Sequence, residues 1–253
     1  MLSKSRIEEE LKKIGITPPD IIFYEQTDST NTRAKEYAKQ SAEKRPTVFI
    51  ANSQTAGRGR RGRSFISESG TGIYISFLTY PNERGADATS ATACAAVSLA
   101  KAVEMLCNCK TQIKWVNDLY LGGKKLAGIL TEGEMDEDGK IAYQIVGMGI
   151  NVYKKAIANE ISTIATSLEG ELEDAPDRSH LAAFIIKEFL NQSGDCYEEY
   201  KSRSFVIGKR VTVIKASESY EATIIDINPD YSLTIERDGK TEKLFTGEIS
   251  IRI

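Results

Sequence analysis

The segment Gly57-Arg-Gly-Arg-Arg-Gly-Arg63 sets four arginines among glycines in a protein whose formal net charge is −3. Planar guanidinium forks suit the paired oxygens of carboxylates and phosphates. Glycines at 57, 59 and 62 free the backbone to wrap around a ligand. One dense arginine loop in an acidic chain points to a small anionic ligand, with a solvated basic loop or an RNA-binding patch as the alternatives the segment leaves open. The spacing also matches GxGxxG, but that fingerprint needs a helix to open at the motif and face a pyrophosphate. Here Arg63, Ser64 and Phe65 lead to Ser-Gly-Thr-Gly and a strand, so the dinucleotide reading fails.

A second constellation is Lys114-Trp-Val-Asn-Asp118, at the end of an apolar strand. A lysine there can neutralise charge that develops on a carboxylate or an α-phosphate. Asn117 and Asp118 suit a ribose or a share in a magnesium ion; the bland reading is an edge lysine and a turn. Asp28-Ser-Thr-Asn31 stands before a helical stretch, where its hydroxyls and amide either cap the helix or bond a urea-like head group. Gly147-Met-Gly-Ile-Asn151 closes a strand with two glycines, which admits a flat ligand such as adenine or marks a bulge.

These residues need a scaffold. Val48–Ala51 and Gly72–Tyr80 read as strands, with a helix over 86–106 that is rich in alanine and free of glycine and proline. Residues 111–121 read as a strand and turn, Gly122-Gly123 as a hairpin, and 135–140 as a second one leading into 141–152. A long helix follows over 179–201, with Ser179 as N-cap and Leu181, Phe184, Ile185 and Phe189 on its buried face. After Gly208 short strands alternate with Asn-Pro-Asp and Asp-Gly turns. The expected class is α+β: a mixed, largely antiparallel central sheet flanked by helices over 1–204, then a small β-barrel over 206–253.

At 253 residues, 41% hydrophobic and 27% charged, the chain can bury a real core. No apolar run approaches a membrane span, and the N-terminus reads as an amphipathic helix through Ile7, Leu11 and Ile14, not a secretion signal. Four cysteines lack the spacing of a disulfide framework and a single histidine, His180, leaves no His-based metal site. Both facts suggest a reducing, cytoplasmic setting.

Taken in order, DSTN (28–31), QTAGRGRRGR (54–63), KWVND (114–118), KKLAGILTE (124–132), GMGIN (147–151) and GEIS (247–250) resemble the biotin protein ligase family, over nearly the whole chain from about residue 21. The resemblance implies a class II synthetase-like catalytic domain and an SH3-like barrel. It implies adenylation of biotin by MgATP, the Mg²⁺ arriving with ATP and no metal site of the protein's own, then transfer to a lysine of a biotin carboxyl carrier protein. That acceptor would be a subunit or domain of acetyl-CoA or pyruvate carboxylase. Ser29, Thr30, Asn31, Gln54, Arg58, Gly59, Arg60, Lys114 and Gly128 are then expected at biotin, with Lys125 and Ile129 beside its ring. Arg60, Arg63, Phe65, Trp115, Asn117, Asp118 and Asn151 are expected at the nucleotide, and Lys114 and Arg60 as the catalytic pair. Phe65 replaces a common tryptophan and Val116 a common proline. The short stretch before the catalytic motifs leaves no room for the winged helix-turn-helix of repressor members, so no sequence-specific DNA binding is expected. A homodimer is left open, no membrane partner is expected, and a lipoate or octanoate ligase or transferase is the nearest alternative.

Overall fold

The computed structural model describes residues 1–80, 87–215, 218–245 and 248–251. Its main sheet has seven strands: β1 (Asp20–Tyr24), β2 (Thr47–Ala51), β3 (Gly72–Thr79), β4 (Gln112–Lys114), β5 (Asp118–Leu121), β6 (Lys124–Met135) and β7 (Ile141–Asn151), in the order β1-β2-β3-β7-β6-β5-β4. Helix α1 is Lys4–Lys13, and α2 (Thr30–Gln40) links β1 to β2. Among the described strands of this sheet only that pair is parallel, because a helical crossover returns the chain in the same direction whereas tight turns reverse it. The other pairings are antiparallel hairpins or β2–β3 and β3–β7 neighbours. The α+β class and the largely antiparallel sheet agree with the sequence reading.

Helix α3 (Ala88–Cys107) begins where the Asp87 carboxylate accepts from the backbone N–H groups of Thr89 and Ser90. Ala86, where the sequence starts this helix, lies outside the described residues. Its small buried side chains let α3 lie close to β6 and β7. By length and mean hydropathy, 1.3, it would suffice to cross a membrane, although Thr89, Ser90, Thr92, Ser98, Lys101 and Glu104 interrupt its apolar residues. Here it is a core helix, with Ala93, Ala96, Leu99, Ala100 and Val103 fully buried.

After the short α4 (Leu168–Glu171), the single helix expected over 179–201 is two: α5 (Arg178–Leu190) and, beyond a turn, α6 (Tyr197–Arg203). Gly194, at φ +81°, supplies the left-handed residue that breaks α5 from α6. Asp177, not Ser179, caps α5, accepting from Ser179 N and His180 N. A second correction concerns the cysteines: Cys94 of α3 and Cys196 are joined in a disulfide, while Cys107 and Cys109 are free. Their separation of 102 residues hides the pair from spacing arguments.

Strands β8 (Arg210–Ile214), β9 (Ser219–Ile227), β10 (Leu233–Arg237), β11 (Lys240–Leu244) and β12 (Glu248–Ile251) form a five-stranded antiparallel sheet in the order β11-β10-β9-β8-β12, as an SH3-like unit requires. Gly247 of the GEIS motif lies outside the described residues. One buried apolar cluster runs from α1 through α3 into this sheet, including Ile224, Tyr231 and Leu233. At the junction Trp115 Nε1 donates to the Tyr231 carbonyl at 2.7 Å and Tyr200 Oη to the Val116 carbonyl at 3.1 Å. The intervening Trp115–Val116 peptide is cis. Trp115→Phe keeps most of the ring but strands the Tyr231 carbonyl, so a loss of about 1–3 kcal/mol is expected in chemical denaturation.

Glu104 of α3 takes both oxygens of its carboxylate to Arg203 Nη1, at 2.8 and 2.7 Å, and also accepts from Thr111. Burial alone would raise this carboxyl, but Arg203 and Thr111 outweigh it and hold it below the usual range. A group lowered by folding contributes its stability above the unfolded-state value and loses it as pH falls. The stability gap between wild type and Glu104→Gln is therefore expected to be full at neutral pH and to shrink below about pH 4, read from denaturation midpoints.

Candidate active site

The sheet, the arginine loop and the 115–117 turn enclose a cavity of about 410 Å³. From the DSTN segment come Ser29, Thr30 and Asn31; from the loop, Arg58, Gly59, Arg60, Arg63 and Phe65; from the KWVND turn, Lys114, Trp115, Asn117 and Asp118. Gln54 and Gly128 complete the expected set. Asn151 is the exception. It is buried and is not among the lining residues; it donates Nδ2 to the Thr166 carbonyl at 3.1 Å and so braces the segment that brings Thr163 and Ile164 to the wall.

Why each side chain points inward follows from local structure. Asp28 accepts from the Ser29 N–H and from Arg33, while Ser29 makes no side-chain capping bond to α2. Its capping role is thus not what the DSTN hydroxyls serve. Thr30 donates both N–H and Oγ1 to Gln54 Oε1, at 2.8 and 3.1 Å. The arginine loop is pinched by Gly59 N to Arg63 O at 2.7 Å and Phe65 N to Gly57 O at 2.9 Å. Arg61 sits in the left-handed region at φ 55° and reaches across to the Ile214 carbonyl of β8 at 2.9 Å. Arg60 Nη1 donates to Asn117 Oδ1 at 3.0 Å, and Asn117 Nδ2 donates to the Ile129 carbonyl at 2.9 Å. The loop, the turn and β6 are thereby fastened to one another.

The electrostatics are one-sided. Among the described residues lining the cavity, Arg58, Arg60, Arg61, Arg63, Lys114 and Lys125 are basic and Asp118 alone is acidic. Asp118 in turn bonds Lys125 Nζ at 2.7 Å. Such a concave cluster of cations attracts an anionic ligand, although Arg58, Arg61 and Arg63 are exposed to solvent. Burial, and then the charge of Asp118, push the Tyr120 phenol up to about 12, so it stays a neutral donor beside Lys114, whose Nζ lies 6.0 Å from the ring centre. A lone carboxylate provides no metal cage; with Asn117 it would give at most two oxygen ligands to an ion that keeps its other partners among phosphates and water.

Both glycines of the GMGIN segment are needed, but for protein groups. A side chain on Gly149 would meet Phe65 Cε1 at 2.6 Å, and one on Gly147 would meet the Asn31 amide. Phe65 thus covers the surface expected to receive a flat ring, and must turn aside for one to bind there.

Residues 23–151 match the biotin/lipoate A/B protein ligase family. The chain belongs to that family. Among members of this ligase family, it is 28% identical to the bifunctional ligase/repressor BirA of Bacillus subtilis, over 99% of this chain and 79% of that one. It is 34% identical to the biotin–[acetyl-CoA-carboxylase] ligase of Paracoccus denitrificans, over 64% of this chain and 68% of that one. Its structure is similar to that of the Aquifex aeolicus biotin protein ligase in complex with biotin and ATP, with a TM-score of 0.77 at 25% identity, covering 92% and 98% of the two chains.

Tyr120, Thr163 and Ile164 line the ligase cavity without having been foreseen. Tyr120 carried a signal, since it lies two residues past Asp118 on the same strand face. Thr163 and Ile164 carried none, being in a loop with no motif.

Proposed function

We propose that the chain is a biotin protein ligase that joins biotin to a carrier-protein lysine through biotinyl-5′-AMP. The observation that carries this reading is the pairing, in one cavity, of six cationic side chains with a polar wall of buried Ser29, Thr30 and Asn31 and half-buried Gln54. The polar wall suits the ureido head group, which both donates and accepts hydrogen bonds, and Gly128 leaves room beside its rings. The cations suit the biotin carboxylate and the phosphates of MgATP, the substrate that brings the magnesium.

In the first half-reaction a biotin carboxylate oxygen attacks the α-phosphorus, and the bond to pyrophosphate breaks. Lys114, Arg60 and Arg63 stabilise the charge on the phosphoryl oxygens, with Arg58 and Gly59 closing over the carboxylate. Phe65, Trp115, Asn117 and Asp118 shape the nucleotide end. In the second, an unprotonated lysine of a biotin carboxyl carrier domain attacks the acyl carbon; AMP leaves with the bonding electrons and the amine loses a proton. The closed loop keeps water from the anhydride in the interval. No covalent enzyme nucleophile takes part.

We assign the catalytic unit to 1–204 and the barrel to 206–253, a division supported by the pairing of Ile113 with Ser204 at the edge of the first sheet. The carrier domain of a carboxylase is the acceptor class that fits a transferable biotin, and we assign the reaction to the cytoplasm, where ATP is at hand. The test is biotin-dependent exchange of labelled pyrophosphate into ATP, with lipoate run in parallel. Exchange with biotin alone supports the proposal. Exchange with lipoate alone moves the chain to the lipoate branch of its family, and exchange with neither overturns both.

A further inference from the structure

Glu132 is a charged residue beside the cavity that the proposed reaction leaves without a part. It lies on β6, in the stretch KKLAGILTE, just outside the residues that form the wall. Its Oε1 and Oε2 accept from Arg58 Nη2 and Nη1 at 2.8 and 3.2 Å, and Oε2 also accepts from Asn31 Nδ2 at 2.8 Å. From there the bonds continue. The Ser76 hydroxyl is 2.6 Å from Asn31 Oδ1 and 2.7 Å from Thr30 Oγ1. Thr30 donates to Gln54, Gln54 Nε2 donates to Ser67 Oγ at 2.9 Å, and Ser67 Oγ donates to the Phe65 carbonyl at 2.9 Å. The circuit leaves the arginine loop at Arg58, passes behind the DSTN wall, and returns to the loop at Phe65.

We propose that Glu132 is a positioning residue that latches the arginine loop to the head-group wall, so that holding the biotin head group and closing the loop become one event. This inference rests on the ligase reading. Asn31, Thr30 and Ser76 are buried, and buried bonds in a chain constrain each other's orientation. The Asn31 amide has its oxygen at Ser76 and its nitrogen at Glu132 and the Leu130 carbonyl, which fixes which face it turns to a ligand. The Arg58–Glu132 pair is itself partly exposed, 47% and 27% by side chain, so it contributes little to the stability of the fold. Its effect belongs to the loop. Released from Glu132, Arg58 loses the two-pronged contact that fixes its direction, and Asn31 is free to rotate.

The variants are Glu132→Gln, which removes the charge but keeps an acceptor, Glu132→Asp, Arg58→Gln, and the double variant Glu132→Gln/Arg58→Gln. In pyrophosphate exchange, Glu132→Gln is expected to raise KM for biotin about tenfold while kcat and KM for ATP change less than about threefold, the size of a lost bond to a charged group. The ligand-free loop should be cut several-fold faster by a broad-specificity protease. Biotin with ATP should protect it only at higher biotin concentration, and Glu132→Asp should recover part of that protection. In a shared latch the double variant is cut no faster than the faster single variant. Wild-type KM and cleavage in Glu132→Gln, or effects of the two substitutions that multiply, overturn the latch, as does a uniform loss of activity that follows a lowered melting temperature. Wild type without exchange overturns the ligase reading instead, and the ligand-free cleavage rates still decide the latch.

Discussion

Lys114→Ala is expected to lower the rate of biotin-dependent pyrophosphate exchange by about two to three orders of magnitude, the range found when one preorganised charge stabiliser is removed from a water-poor site. The loss should fall on kcat. A lysine that only held substrate would raise KM and leave the maximal rate alone. Lys114 ends β4, an edge strand of three residues, and pairs with Asp118 across the turn, so truncation leaves the ladder in place and the melting temperature close to wild type. Lys114→Arg sharpens the test, since a guanidinium restores charge but not a compact ammonium. Full activity in Lys114→Ala would remove the residue from the chemistry.

Gly147→Ala should be the most damaging single methyl in the site. The new carbon would run into the Asn31 amide, with Cγ at 2.9 Å and Nδ2 at 3.1 Å. That side chain cannot swing away without breaking its bonds to Glu132, Leu130 and Ser76. Overpacking of this kind costs about 1–3 kcal/mol, which corresponds to roughly ten- to hundredfold in biotin affinity if the displaced amide carries the strain. Gly133→Ala in the same hairpin is the control. There the nearest atom is the Tyr143 carbonyl oxygen at 3.4 Å, an ordinary contact, and biotin affinity should be unchanged. Calorimetric titration of both variants with biotin separates the two cases. Equal affinity in both would show that Asn31 takes no part in holding the ligand.

The comparison of sequence with structure turns on distance along the chain. The arginine loop and the KWVND turn each declare themselves locally, through residue types that suit anions packed within a few positions. The hairpins of the main sheet were legible for the same reason, since Gly122-Gly123 and the turn after Met135 mark reversals by local chemistry. Glu132 and Ser76 were not legible. Neither was given a role, although Glu132 ends the KKLAGILTE motif, and only the β3–β7–β6 neighbourhood brings them to Asn31, 45 to 101 residues away. Cys94 and Cys196 escaped notice likewise. Asn151 shows what a motif leaves out: the segment was visible, but the bond from its amide to the Thr166 carbonyl, made across the fold to a loop without a motif, was not. The break between α5 and α6 turned on Gly194, a residue that hydrophobic periodicity on either side conceals.

The chain has one tryptophan, and the fold places it where two events meet. Trp115 adjoins Lys114, touches the cavity, and gives its indole N–H to the β9–β10 turn of the C-terminal unit. Its emission is therefore a built-in optical reporter that needs no label. Filling the cavity alters its intensity while the indole stays dry, and parting of the two sheets shifts its colour to the red as water reaches the ring. One spectrum can thus distinguish a bound ligand from an opened junction.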